Sequence, residues 1–234
     1  MRDGRYLAWE YSPIWMDKST DVQGQSLIAN ARFGSNEELL RQTGSGFQHR
    51  FPAGQIAKFR DDMPEKYQNT HRILNMTAFV GYLLTGNSDF PWDQGDAVPS
   101  HLVDIKTRNW LSNLNEIIPG VEAKLPEVMS TNRIVAPIAP YWKKYGLSQD
   151  VQIANGTGDN PADLVGLGLL EKNRVAVSLG TSFTLFQYIS NLADLDRALE
   201  MGQVGNLMGS PDGKWMKLIC CQNGGLALEA LRDK

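Results

Sequence analysis

Two short segments hold residue types suited to chemistry. In Thr157-Gly158-Asp159-Asn160-Pro161-Ala162-Asp163 a carboxylate follows a glycine turn and precedes a helix start. A helix N-terminus carries partial positive charge and unpaired amide donors, so it favours an ionised Asp159 and can orient it. Such a carboxylate can accept a hydrogen bond from a substrate hydroxyl and take its proton as that oxygen attacks. Phosphoryl transfer asks little basicity of such a group, because positioning supplies most of the acceleration. The plainer alternative is that Asp159 and Asn160 share the capping of the helix. The second segment is Ser178-Leu179-Gly180-Thr181-Ser182-Phe183-Thr184. Small hydroxylated residues and a glycine between two strands can aim amides and hydroxyls at a phosphate, although ordinary hairpin turns use the same residues. Together the two segments suit a hydroxyl acceptor beside a nucleotide.

These residues need strands and helix ends to hold them. Val151–Ala154 reads as a strand leading into the glycine turn, with Asn160-Pro161 as N-cap and first residue of a helix reaching Leu170. Arg174–Leu179, Thr184–Ile189 and Trp215–Cys221 are β-like, and Gly224-Gly225 breaks the chain before an amphipathic helix. Upstream, Trp9–Trp15 suggests one or two short strands. Helices are expected from Ser19 or Thr20 toward Arg32, from Asn36 to Thr43-Gly44, and from Gln55 to Asp62, with Pro64 opening the next. The strongest helical pattern is Thr70–Leu84, apolar on more than one face and so expected to be deeply buried, ending at Gly86. Asn87–Ser100 reads as an irregular loop, with a further helix starting near Thr107.

The chain has 234 residues, is 42% apolar and 21% charged, and has a net charge of −3, the balance of a globular protein. That charge argues against a nucleic-acid partner. No secretory signal is visible, and the longest mostly apolar stretch, Met76–Leu84, is far short of a membrane span. Cys220 and Cys221 are neighbours and read as reduced thiols of a cytoplasmic protein. They and His49, His71 and His101 lack metal-ligand spacing, so no metal ligand is expected among them.

TGDNPADLVGLG (157–168) followed by VAVSLGTSFTLF (175–186) strongly resembles the FGGY carbohydrate kinases, in particular those acting on D-xylulose. Trp15-Met16-Asp17-Lys18-Ser19-Thr20 is similar to the family's WMD-x-ST segment. Arg50-Phe51 with Gly54-Gln55-Ile56-Ala57-Lys58 is similar to RF-x-x-x-QIAK, and Asn223–Ala227 to NGSLA. The resemblance implies an α/β fold of the actin and sugar-kinase type, with two ribonuclease-H-like domains facing a cleft. Residues 1–173 would be the remainder of an N-terminal sugar-binding domain lacking its first strands. Residues 174–234 would be the truncated start of a C-terminal ATP-binding domain. The implied activity is ATP-dependent phosphorylation of D-xylulose to xylulose 5-phosphate, with ATP and Mg²⁺. Asp159 would be the catalytic base, Arg50 and Asn160 sugar contacts, and Gly180, Thr181 and Ser182 would face the γ-phosphate. Asp17 would position the sugar loop or serve as a first-turn helix acid. Alternatives are a kinase of another pentulose or polyol, and a non-catalytic remnant or interaction module.

Two departures from the family pattern stand out. Phe183 occupies a position that is often small or acidic, where it would crowd the phosphate or point to the other face of its strand. Asp93 and Asp96 lack the small-residue run that usually follows the family's acid pair. They read as a solvated turn rather than a cation site.

Overall fold

The computed structural model describes residues 12–14, 16–30, 32–171, 173–180, 182–193, 205–221 and 223–233. The strands expected over Trp9–Trp15, apart from 12–14, and the predicted phosphate contact Thr181 lie outside them. Five helices open the described chain: α1 (Asp21–Ala29), α2 (Asn36–Thr43), α3 (Pro52–Asp62), α4 (Pro64–Asn69) and α5 (Met76–Thr85). Their ends follow local chemistry. The Ser35 hydroxyl accepts the Glu38 N–H at 3.1 Å to start α2, Gly44 ends it at φ 78°, and Pro64 sits in the first turn of α4.

Helix α5 departs from expectation in two ways. It starts at Met76, because the Asn75 side chain caps it by accepting the Ala78 N–H at 2.8 Å. It is also turned: Met76, Val80 and Leu83 are exposed, whereas Ala78 and Gly81 are buried. A helix apolar on several sides has no single face that periodicity can single out, so its neighbours decide. Here the Phe90 ring packs directly over Gly81.

Nor is Asn87–Ser100 an irregular loop. It contains β1 (Trp92–Asp93), α6 (Gln94–Ala97) and a 3₁₀ turn at Val98–Ser100. Strand β1 pairs in parallel with β4 (Val128–Met129), Asp93 opposite Met129. Phe90 and Trp92 belong to the main core. No helix starts at Thr107. Asp104 Oδ1 accepts the N–H groups of Lys106 and Thr107 and turns the chain back, so β2 (Val103–Asp104) pairs with β3 (Asn109–Trp110). The next helix, α7 (Leu114–Ile117), comes later.

Strands β5 (Ile134–Pro137) and β6 (Gln152–Ala154) form an antiparallel pair whose end feeds α8 (Asp159–Gly166). Beyond it, β7 (Val175–Leu179), β8 (Phe183–Ile189), β9 (Asn206–Gly209) and β10 (Trp215–Cys221) make one sheet in the order β7-β8-β10-β9, followed by α9 (Gly224–Arg232). One face of that sheet packs through Phe186, Met208 and Met216 against Leu164 of α8 and Leu169 just beyond it. Edge strand β9 is buried, its Leu207 N–H bonded to the Gly44 carbonyl at 2.9 Å. Cys220 and Cys221 are both free thiols. No helix among the described residues is long and apolar enough to cross a membrane.

Candidate active site

Asp159 is the first residue of α8, with Gly158 at the N-cap. The helix therefore starts earlier than predicted, and Asn160 and Pro161 lie in its first turn. Asp159 is exposed. Its Oδ1 accepts the Asn160 backbone N–H at 2.7 Å and the Asn160 side-chain amide at 2.9 Å. Among the described residues Oδ2 has no hydrogen-bond partner. One oxygen is thus engaged at the helix start by Asn160 while the other stays open.

Behind this turn lies the acidic pair expected as a solvated turn, with Asp93 buried and Asp96 half-buried. Asp93 is fully buried. Its Oδ1 accepts the Thr131 hydroxyl, and its Oδ2 accepts the Thr157 hydroxyl and the Asp96 N–H. Asp96 accepts the Thr77 hydroxyl at 2.7 Å and the Asn75 amide at 3.2 Å. Burial pushes Asp96 up to about 6; the Thr77 hydrogen bond opposes this, while the charges of Asp93 and Asp159 reinforce it. Burial also raises Asp93, against the hydrogen bonds it accepts. A legible signal was present: Asp93 caps α6 and Asp96 sits three residues on, a capping spacing, directly after the apolar Phe90-Pro91-Trp92. Both acids are committed to internal hydrogen bonds. Among the described residues no group of three or more His, Cys, Asp or Glu side chains is placed to hold a metal ion.

Arg50 lies in the turn before Phe51, the N-cap of α3. No hydrogen bond or ion pair among the described residues joins it to Asp159 or Asn160. Its loop is held from the acidic segment, because the His101 Nε2–H donates to the Gly46 carbonyl at 3.1 Å and the ring packs against those of Phe47 and Phe51. Burial drives the His101 imidazole down to about 4, so it is neutral at pH 7. Asp17 precedes α1, whose first-turn acid is Asp21. Its Oδ1 accepts the Ser19 N–H at 2.8 Å, and hydrogen bonds from Ser19 hold its carboxyl below the usual range.

Gly180 and Ser182 lie in the three-residue turn closing the β7–β8 hairpin, where Leu179 pairs with Phe183. A cleft of about 360 Å³ opens there, lined by Gly180, Phe183, Gly225, Leu226 and Glu229 among others. The Phe183 ring lies so close to Gly224 that a Cβ there would sit 2.6 Å from it. Phe183 is thus on the cleft side of its strand. The cleft lies between the turn and the start of α9, with Phe183 narrowing it. Asp159 does not line this cleft.

Residues 12–166 match the FGGY family of carbohydrate kinases, N-terminal domain. The chain is 35% identical over 226 residues to a xylulose kinase of Rattus norvegicus, covering 95% of this chain and 40% of that protein. It is 32% identical over 228 residues to xylulose kinase 2 of Arabidopsis thaliana, covering 95% and 39%. The chain therefore spans about 40% of the length of such curated relatives. Among solved structures, xylulose kinase from Rhodospirillum rubrum superposes with a TM-score of 0.81 at 16% identity, covering 93% of this chain and 42% of that one. Plasmodium falciparum glycerol kinase with ADP gives 0.76 at 18%, covering 94% and 44%. These likenesses fix an α/β fold of the sugar-kinase type. With two thirds of its residues in the family match and the predicted motifs in place, the chain belongs to the FGGY family of carbohydrate kinases.

Proposed function

We propose that this chain carries the phosphoryl-acceptor site of a kinase that transfers the terminal phosphate of ATP to the terminal hydroxyl of D-xylulose, giving xylulose 5-phosphate and ADP. The observation that carries the reading is Asp159 at the start of α8, with Oδ1 engaged by Asn160 and Oδ2 open. The names of the relatives supply the sugar. Arg50 and Asn160 contact the sugar. Oδ2 of Asp159 takes the hydroxyl proton as the hydroxyl oxygen bonds to the terminal phosphorus and the bond from phosphorus to the bridging oxygen of ADP breaks. Gly180, Thr181 and Ser182 face the phosphates. Mg²⁺ when bound neutralises phosphate charge, and no step here runs through it.

Residues 1–173 belong to the sugar-binding domain and 174–234 to the beginning of the ATP-binding domain in this reading. In support, the family match ends at 166 and the four-stranded sheet draws every strand from beyond 174.

The test is ADP release by this chain joined to a complete ATP-binding domain, with Mg-ATP and D-xylulose, beside glycerol, ribulose and no sugar. We expect xylulose-dependent release that falls at least about a hundredfold in Asp159→Ala, the scale of a general base, with most sugar binding retained. Unchanged release in that variant removes Asp159 from the role, and preference for another acceptor overturns the assigned sugar.

A further inference from the structure

Three separate segments converge on the Asp93 carboxylate. Asp93 itself is fixed in β1 by the parallel pairing with β4. Thr131, just beyond β4, donates to one oxygen, and Thr157, in the turn after β6, donates to the other. Thr157 is two residues before Asp159. The close approach depends on missing side chains. A Cβ on Gly95 would lie 2.4 Å from Thr157 Oγ1 and 2.8 Å from Asp93 Oδ2, and a Cβ on Gly158 would lie 2.2 Å from Asp96 Oδ1. A buried carboxylate is costly to desolvate, and an apolar side chain could fill the space without that cost. What the carboxylate adds is direction, because hydrogen bonds hold the Thr157 hydroxyl in one orientation and apolar packing would not.

We infer that Asp93 is a positioning residue for the base: its buried carboxylate pins the Thr157 hydroxyl and thereby fixes the turn that delivers Asp159. The role of Asp159 in this inference rests on the proposed function; the latch itself does not. Asp93 is fully buried and reaches the turn of Asp159 through Thr157, while Thr131 and the Asp96 N–H hold its own carboxylate in place. Gly95 and Gly158 serve the latch by letting α6 and the turn come within hydrogen-bonding distance. The base is thus set from behind by Asp93 and from the side by Asn160, which leaves Oδ2 as its one open atom.

Amide hydrogen exchange of the 234-residue chain tests the latch without reference to any sugar. Thr157→Val removes the hydroxyl while keeping the branched shape, and exchange over residues 157–162 should rise about tenfold, with α3 unchanged. Thr157→Ser keeps the hydroxyl and should exchange like wild type. Gly95→Ala leaves both partners in place but fills the space between them, and it should reproduce the effect if Thr157→Val fails to fold. Unchanged exchange at 157–162 in the folded variants, or an equal rise in α3, overturns the latch. In turnover assays Thr157→Val should lower kcat about tenfold with KM for the sugar within twofold, and Thr157→Ser should restore kcat. Asp159→Ala measured alongside separates the two readings. If it turns over like wild type the base assignment fails, while local exchange still decides the latch.

Discussion

At the scale of single residues, the most unusual group is Asp96. Its folded carboxyl titrates near 6, against 3.8 for an ordinary aspartate, chiefly because it is enclosed. A carboxyl raised by folding binds its proton more tightly in the native state, so its contribution is most favourable at low pH and is lost as pH rises from about 4 to about 6. His101 runs the other way. Its depressed value means that its contribution is present above about 6.5 and is lost as pH falls toward 4. Asp96→Asn keeps an oxygen for Thr77 and Asn75 and removes the charge. The stability of the variant relative to wild type in urea unfolding should therefore rise by on the order of 2 kcal/mol between pH 4.5 and pH 7.5. His101 is common to both chains and cancels in the comparison. An equal difference at the two pH values would show that Asp96 is not held protonated by the fold.

At the scale of elements, the glycines of two helices make opposite predictions. Gly81, inside α5, would place a Cβ 2.3 Å from the Phe90 ring, and Phe90 is only 1% exposed. Gly81→Ala gains about 1 kcal/mol of helix propensity but forces a core ring to move, for a net loss of roughly 1–3 kcal/mol. Gly166, at the end of α8, has nothing within 4 Å of a built Cβ. Gly166→Ala should be neutral or stabilise by up to about 1 kcal/mol. Thermal melts of the two variants check the contrast, and a stabilised Gly81→Ala would mean that Phe90 does not lie on α5. The same packing explains how α5 is turned. A helix with Met76, Val80 and Leu83 available for burial instead buries Ala78 and Gly81, because a large ring needs a small-residue face.

At the scale of the whole molecule, α8 joins two cores. Its Leu164 packs into the cluster formed with the four-stranded sheet, while its N-terminal turn is tied through Thr157 to Asp93 beside the main core. The sheet meets the first part a second time through β9. A Cβ on Gly209 would lie 2.7 Å from the backbone of Gln94 in α6, and backbone cannot swing aside as a side chain can. Gly209→Ala should lift β9 from α6 and cost about 2 kcal/mol in urea unfolding. It should also raise exchange in β9 more than in α3. An unchanged midpoint would mean that this contact is not part of the packed structure. The segment 92–101 is therefore central, since Asp93 holds the turn of Asp159, Gln94 meets the sheet, and His101 holds the loop of Arg50.

The sequence by itself determined the features set by neighbours in the chain. The helix ends at Gly44 and Gly86, the proline start of α4, the β7–β8 hairpin and the placing of Asp159 at a helix start all depend on a few consecutive residues. The motif order also pointed to the family. Tertiary structure alone decided which face of α5 is buried, that Trp92-Asp93 forms a strand, and that Asp93 sits inside, with Asp96 half-buried beside it. A two-residue strand has no alternation to read. An aspartate is placed inside only by partners such as Thr131 and Thr157, which lie 38 and 64 residues away in the chain. The hydrogen bonds that offset the cost of burying that charge form only when the distant loops have been brought together.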